Sequence, residues 1–423
     1  MKSISLTSTI PVRDSYDVIV AGGGVAGVAA AVSARRMGKR TLLIEKSISL
    51  GGLATIGLIN LFVPMCNGRG TQIIKGMAEE LLRLSVKYGY DTLPEQWKDD
   101  SSGKKNGGER YLTRFSPSIF SLALTELIEN EGVDILYDTV VSEPVMENGH
   151  CKGLVLESKS GREYYEGRVI VDTTGDADIM YRAGVPTQQG KNFFTMCALG
   201  ADIKSCEKAA KTGNMRYCTD YYWGGRADLY GGNHPEDMSK FTGTTKESVT
   251  DFVVKNHIEM LNALKASDRE ERDILMLPAM AQFRTTRNIL GDEIFTKKNV
   301  FTHSNTSIGA ICDFDHRDYL FEVPYGTLVK TGFDNLITAG RTASAEPDYS
   351  WDILRVIPPA IITGQAAGIA ASISIDTEKP IYGIDVPLLQ KELQTKDVMI
   401  HFDDELVPET IENDDPCEGL NHF

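Results

Sequence analysis

No two cysteines of this 423-residue chain are spaced C-x-x-C. The seven that exist, at 66, 151, 197, 206, 218, 312 and 417, are odd in number and scattered. A zinc knuckle, an iron–sulfur cluster and a redox dithiol of the C-x-x-C kind therefore have no support, and reduced, mostly buried thiols are expected. Positive charge is also scarce, with 44 Lys and Arg against 59 Asp and Glu, a net charge of −15. A general nucleic-acid or anionic-membrane surface needs basic patches, so neither is expected as a partner. A local basic pocket for a small anion is still compatible with this balance. Residues 1–15 lack the apolar core of a secretory signal. The apolar run Val18 to Ala34 has about the length of a short membrane span, but it is broken by glycines and followed by an acid-tipped strand. A cytoplasmic protein is the expectation.

That run is the most informative stretch. Residues 16–46 read YDVIVAGGGVAGVAAAVSARRMGKRTLLIEK. Asp17 to Ala21 is apolar without alternation, as in a strand buried on both faces. Gly22, Gly24 and Gly27 follow in the spacing G-x-G-x-x-G. Gly22 permits the tight turn, Gly24 lets backbone approach a pyrophosphate, and Gly27 lets the helix pack on the strand. An Ala-rich helix from about Val25 to Met37 presents its amino end, including Val25 and Ala26, to the phosphates. Thr41 to Ile44 is the second strand. Glu45 closes it, with Lys46 beside it, where a carboxylate can accept hydrogen bonds from a ribose. Glycine turns are common, but strand, helix and terminal acid all agree here. A dinucleotide site follows, and the fingerprint alone does not separate NAD from FAD.

Downstream, Gly51, Gly52, Leu53 and Ala54 form a second glycine loop that could pass close to the same ligand, or be a plain turn. Residues 70–89 carry a helical rhythm. The polar run 91–110, with DDSSGKKNGGE inside it, reads as a mobile surface loop or insertion. Tyr111 to Phe115 is an expected strand, and Ser116-Pro117 opens a helix to about Asn130. Residues 133–171 look like a meander with hairpin turns at 147–150 and 158–161. Its last strand ends in Asp172-Thr173-Thr174-Gly175-Asp176, at the carboxyl edge where an open sheet binds ligands, unless the acid only caps a turn.

From 182 to about 320 the pattern changes. Tyr217, Tyr221, Tyr222, Trp223 and Tyr230 cluster around paired glycines, as in a ligand site or in core plus turns. Arg284 and Arg287 would share a face if helical, and could clamp a carboxylate or phosphate. Salt bridges to the chain's own acids are the plainer reading. His316, in ICDFDHRDYL, is a candidate acid or base, although a lone His is often structural. The strand-and-turn NLITAGR, with Gly340 and Arg341, leads to Arg355 and then to a helix containing Gln365, Ala366 and Ala367 in GQAAG. Small residues there allow close packing on the first helix. The amino end of that segment would stabilise negative charge.

GGGVAG with Glu45, LGGLAT, TTGDAD, and NLITAGR followed by GQAAG stand in this order. Together they resemble bacterial FAD-dependent oxidoreductases of the glutathione-reductase-like class. Within it the chain looks like the single-chain group distantly similar to fumarate reductase and to the flavin part of heterodisulfide reductase. The resemblance covers about 15–65, 110–180 and 275–372, and is weak over about 185–275. It implies an α/β fold: a Rossmann-like FAD-binding domain, parallel sheet plus β-meander, with an inserted α+β substrate domain. The corresponding division is 1–181 and 321–380 for the FAD-binding domain, 182–320 for the substrate or cap domain, and 381–423 for a tail. It implies that the first glycines and Glu45 hold the ADP half of FAD, that Val140 and Val141 touch adenine through backbone, and that the Gly340-Arg341 turn and the GQAAG helix hold the ribityl chain and flavin ring. The resemblance also implies that the R-x-x-R at 284–287 belongs to the family pattern. The iron–sulfur cysteine clusters of the heterodisulfide-reductase relatives are missing from this chain.

The expected activity is hydride exchange between flavin N5 and a small polar or anionic organic substrate. It would run as dehydrogenation of a CH–OH or CH–NH centre or as reduction of an activated C=C bond. Arg284 and Arg287, together with Arg341 and Arg355, would orient the substrate and His316 would move a proton. A flavin subunit passing electrons to a partner protein is the alternative. Substrate identity, electron acceptor and oligomeric state are left open.

Overall fold

A computed structural model describes residues 3–5, 7–98 and 110–410. The polar segment 99–109 and residues 411–423, with Cys417, lie outside the described residues. The chain opens with β1 (Val12–Ala21), α1 (Val25–Arg36) and β2 (Thr41–Ile44). It continues through β3 (Leu61–Phe62), α2 (Met77–Lys87), β4 (Thr113–Arg114), α3 (Pro117–Glu131) and β5 (Asp134–Leu136). Strands β6 (Val140–Glu147), β7 (His150–Ser158) and β8 (Gly161–Asp172) follow, then α4 (Asp178–Arg182) and β9 (Thr187–Gln189). Next come β10 (Thr195–Asp202), α5 (Ile203–Thr212), β11 (Asp220–Arg226), α6 (Lys246–Lys265), β12 (Arg272–Met276) and β13 (Arg287–Ile289). The chain closes with β14 (Ser307–Cys312), β15 (Leu320–Pro324), β16 (Leu336–Thr338), α7 (Tyr349–Arg355), α8 (Ile357–Thr377) and α9 (Val386–Gln394).

The main sheet has the order β5-β2-β1-β8-β7-β6, with β16 also beside β8. Strand β8 makes this possible by being long. Its second half runs parallel to β1 on one side and to β16 on the other, while its first half pairs antiparallel with β7. The result is a Rossmann-like parallel sheet, with α1 and α8 on one face and the meander with α4 against the other. Val18, Ile19, Val20 and Ala21 are completely buried, as their unbroken apolar run requires.

Helices α1 and α8 lie on one another with almost no side chain between them. A Cβ added to Gly364 would sit 2.2 Å from the Ala26 carbonyl oxygen, and one added to Gly368 would sit 2.2 Å from that of Ala30. α8 is the one helix among the described residues long and apolar enough to cross a membrane, and 94% of its apolar window is buried inside the protein. Here it is a core helix.

Three local expectations change. The helical rhythm of 70–89 produces a helix only from Met77, because Gly76 takes φ +61° and Ile73 and Ile74 turn their N–H groups back to the Met65 carbonyl. The expected strand 111–115 shrinks to Thr113–Arg114, paired with Leu61–Phe62. Residues 134–136 leave the meander and extend the parallel sheet beside β2.

The segment between β9 and β13 builds a small sheet, β11-β10-β12, with α6 against it and its own core of Phe194, Met196, Phe241, Phe252 and Phe283. The β14–β15 hairpin straddles position 320, and Ile308, Ile311 and Phe321 join the main core.

Candidate active site

The turn after β1 is built for backbone, not side chains. Gly22 adopts φ +109°, and a Cβ there would meet the Thr173 carbonyl oxygen at 2.3 Å. A Cβ on Gly27 would lie 1.8 Å from the Gly22 oxygen. Gly24 is the opposite case, with nothing within 4 Å of its would-be Cβ. That open space is the end of a cleft lined by Gly22, Gly24, Val25 and Ala26. α1 starts there with no side-chain cap and no acid in its first turn. The unpaired N–H groups and the positive end of the helix dipole therefore face an anion site.

Glu45 and Lys46 continue the wall. The Glu45 carboxylate accepts the Gly23 N–H at 2.7 Å and the Ser47 N–H at 2.8 Å, so it braces the turn. Each oxygen keeps lone-pair capacity for a ribose hydroxyl. Gly51, Gly52, Leu53 and Ala54 line one side, Val140 and Val141 another, and Thr174 and Gly175 a third. Gly340, Arg341, Arg355, Ile357 and Ala360 complete it. Distant segments thus converge on one cleft.

Five residues expected to hold the cofactor stand outside the cleft's wall, Gly27 among them in the packed strand–helix junction. The Asp176 carboxylate accepts from Arg341 Nη2 and from Thr286 Oγ1, both at 2.8 Å, and so positions Arg341. Asp172 caps α4, accepting the N–H groups of Ile179 and Met180. Gln365 Oε1 accepts the Met77 N–H at 3.1 Å, and Ala366 and Ala367 are fully buried. α8 begins at Ile357, so GQAAG lies two turns inside the helix and serves packing. The amino end that reaches the cleft carries Ile357 and Ala360.

A second cavity of about 320 Å³ adjoins the first, with Leu53, Arg355 and Ile357 common to both walls. The aromatic side chains of Tyr221, Trp223, Tyr230, Phe283 and Phe314 surround it. Arg284, Asp315, Asn60 and Gln282 are among its polar groups. Arg284 Nη1 donates to the Asp228 carbonyl at 2.9 Å. Burial, and then the positive charge of Arg355, bring the Arg284 pKa down to about 10, so the group stays charged at neutral pH. Arg355 is held by Asp352, its Nε and Nη2 lying 2.8 and 2.5 Å from Oδ1. Tyr230 donates its hydroxyl to Asp315 Oδ2 at 2.5 Å. Asp315 and burial together push the Tyr230 pKa up, burial first.

Arg284 and Arg287 do not form a clamp. The segment is not helical, and Arg287 opens β13. In extended chain, residues three apart project to opposite faces. Arg287 stacks over the Tyr181 ring at 4.2 Å, with Nη2 3.6 Å from Asp178 on the first cleft's wall. His316 is outside both walls. Its ring stacks on Tyr319 and meets Tyr349 edge-on, with Nδ1 3.3 Å from Asp313 Oδ2. Its neighbours Phe314 and Asp315 take the wall positions instead. The tyrosine and glycine cluster signalled Tyr221, Trp223 and Tyr230 in the sequence, whereas Asn60 and Gln282 carried no local signal.

The sequence profile of the FAD dependent oxidoreductases matches residues 17–198 and 202–393. The chain belongs to this family. FAD is its cofactor, and the protein is an FAD-dependent oxidoreductase. The tRNA uridine 5-carboxymethylaminomethyl modification enzyme MnmG of Lactobacillus johnsonii is 33% identical over 167 residues, which are 39% of this chain and 24% of that protein. The same enzyme of Enterococcus faecalis is 30% identical over 167 residues, again 39% and 24%. The chain thus spans about a quarter of these curated relatives. Among solved structures, L-proline dehydrogenase from P. horikoshii aligns over 92% of this chain and 100% of its own, at TM-score 0.43 and 14% identity. A flavoprotein/dehydrogenase from Cytophaga hutchinsonii aligns over 90% and 84%, at TM-score 0.42 and 14% identity.

The first cleft fits FAD on its own geometry. The free space at Gly24 and the uncapped start of α1 suit the pyrophosphate, and Glu45 suits the ribose.

Proposed function

We propose that this FAD-dependent oxidoreductase acts on an organic acid with an apolar or aromatic body, held in the second cavity. The observation that carries the reading is the shared wall. Leu53, Arg355 and Ile357 face the FAD cleft on one side and the aromatic chamber on the other. FAD, when bound, supplies the hydride acceptor or donor at its N5.

The chain's own residues do the rest. Arg284 takes the substrate carboxylate by charge-assisted hydrogen bonds. Arg355, fixed by Asp352, and the start of α8 place positive potential at the junction, where negative charge develops during reaction. Tyr221, Trp223, Phe283 and Phe314 pack the apolar body and exclude water. Asp315 accepts the proton released when a CH–OH or CH–NH centre is oxidised, with the Tyr230 hydroxyl as the relay at its Oδ2. Where the substrate is instead an activated C=C bond, the same pair gives a proton to the carbon that does not take the hydride. This pair replaces His316 in the proton role. A small acid also accords better than tRNA with a net charge of −15, since the likeness to the tRNA-modifying enzymes covers 39% of the chain.

The test is anaerobic bleaching of the visible flavin band by 2-hydroxy acids and 2-amino acids, together with re-oxidation of reduced flavin by enoates. One class should react with the wild type. Arg284→Met should slow that reaction by at least ~100-fold, about 2.7 kcal/mol, with flavin content unchanged. An Arg284→Met protein as fast as wild type would overturn the assignment. Flavin that no acid touches, but that a ferredoxin-like protein reduces quickly, would support the electron-transfer alternative instead.

A further inference from the structure

On the side of the main core formed by the β14–β15 hairpin, three segments far apart in sequence bring metal-binding side chains together. Glu322, on β15, has a completely buried side chain, while those of His303 and His401 are 42% and 44% exposed. His303 Nδ1 lies 2.6 Å from Glu322 Oε1, and His401 Nδ1 lies 2.9 Å from Oε2. One ligand atom from each of the three residues falls within 4.8 Å of the others, and the two imidazoles meet edge to face at 5.7 Å. We infer that His303, Glu322 and His401 form a binding site for one divalent transition-metal ion of the Zn²⁺ class, separate from the flavin chemistry.

The groups around these ligands support the assignment. His303 Nε2 is 2.9 Å from Asp404 Oδ1. With its proton on Nε2 and donated to Asp404, the ring presents a lone pair on Nδ1 toward Glu322. A carboxylate behind an imidazole in this way fixes the tautomer and orientation of a metal-bound histidine. Glu322 Oε2 is itself held by the Ser304 N–H at 2.7 Å. Two imidazole nitrogens and one carboxylate are a set that Zn²⁺ accepts, and the exposed rings leave the fourth position to water. Ligand–ligand edges in a tetrahedral zinc site are about 3.3 Å for bonds of about 2.0–2.1 Å. The gaps of 2.6 and 2.9 Å, to the two oxygens of Glu322, are shorter than that edge and the widest separation is within 4.8 Å, so the two half-exposed rings rotate to seat the ion.

Location gives the ion a structural role. Ala310 N–H donates to the Met399 carbonyl, and Ser307 Oγ to that of Ile400, so the segment at 399–400 already lies along β14. An ion shared by His303, Glu322 and His401 would staple that segment to the hairpin, which in turn packs on α8.

The experiment uses the full-length flavoprotein, washed with a chelator and titrated with Zn²⁺ alone against a colorimetric competitor. One Zn²⁺ per chain should bind. His303→Ala or His401→Ala should abolish that binding, and Asp404→Ala should weaken it by about 10–100-fold. Cys206→Ser/Cys218→Ser should leave it unchanged, which guards against capture by a neighbouring cysteine pair whose sulfurs are 3.9 Å apart. X-ray absorption on the wild type gives a reading independent of any variant: nitrogen and oxygen neighbours at about 2.0–2.1 Å are expected, and sulfur at about 2.3 Å would overturn the site. Failure of the wild type to retain zinc, or retention undiminished in folded His303→Ala and His401→Ala proteins, would also overturn it.

Discussion

Two glycines of one motif should fail in opposite ways. A methyl on Gly24 meets nothing within 4 Å, and the residue has φ −65° and ψ 175°, which any amino acid adopts. Gly24→Ala should therefore change the stability of the FAD-free protein by no more than about 1 kcal/mol, the loss expected of alanine at a helix N-cap. Its methyl would occupy the space through which the backbone approaches the pyrophosphate. FAD affinity should fall by at least ~100-fold, equivalent to about 2.7 kcal/mol. Gly27→Ala places its methyl 1.8 Å from the Gly22 oxygen and 2.7 Å from Thr173 Oγ1. Both lie in the packed junction between β1, β8 and α1, so helix and strand must separate. The cost should reach or exceed about 3 kcal/mol before any ligand is added. Urea unfolding of the stripped proteins and quenching of FAD fluorescence on titration separate the two effects. The reasoning fails if Gly24→Ala binds FAD as tightly as wild type, or if its stripped form is destabilised as much as Gly27→Ala.

Gly364→Ala pushes a methyl to 2.2 Å from the Ala26 carbonyl oxygen. Thermal unfolding should show a loss of about 3 kcal/mol, with faster FAD release because α1 and α8 both border the cleft. Asp176→Ala strands the buried guanidinium of Arg341, whose remaining bonds include those to the Gly175 and Phe283 carbonyls. A loss of about 3 kcal/mol in urea unfolding is expected, and an unchanged midpoint would refute the role assigned to this pair. Burial pushes the Cys197 thiol up to about 11, so at pH 8 roughly one molecule in a thousand carries the thiolate. Brief alkylation should mark exposed Cys206 and leave Cys197 intact, as peptide mass spectrometry would show.

The dinucleotide-type turn was legible because its determinants are local. A strand, a glycine spacing, an Ala-rich helix and a terminal acid each announce themselves within 31 consecutive residues, 16–46. The chamber was not, because its walls are made by contacts between remote segments. Tyr221 donates to Asn60 Oδ1, and Gln282 Nε2 donates to the Gly57 carbonyl. Neither pairing leaves a periodic trace. The arginine pair misled for a related reason: spacing of three implies a common face only in a helix, and β13 is extended. GQAAG packs against α1 and lies outside the cleft's wall, because the helix starts earlier, at Ile357, and its first turn borders the cleft instead. Asp315 stood beside His316 in the same decapeptide, and only the turn there decided which of them faces the cavity.

Gly57 and Asn60 follow directly on the Gly51–Ala54 loop that borders the FAD cleft, and they anchor Gln282 and Tyr221 of the chamber. One short length of backbone thus sets the register between the cleft that fits FAD and the chamber proposed to hold the substrate. Anyone exchanging the 191–286 unit for that of a homologue should carry residues 56–61 along with it. A graft made without them would present a foreign selector to the flavin at an uncontrolled offset.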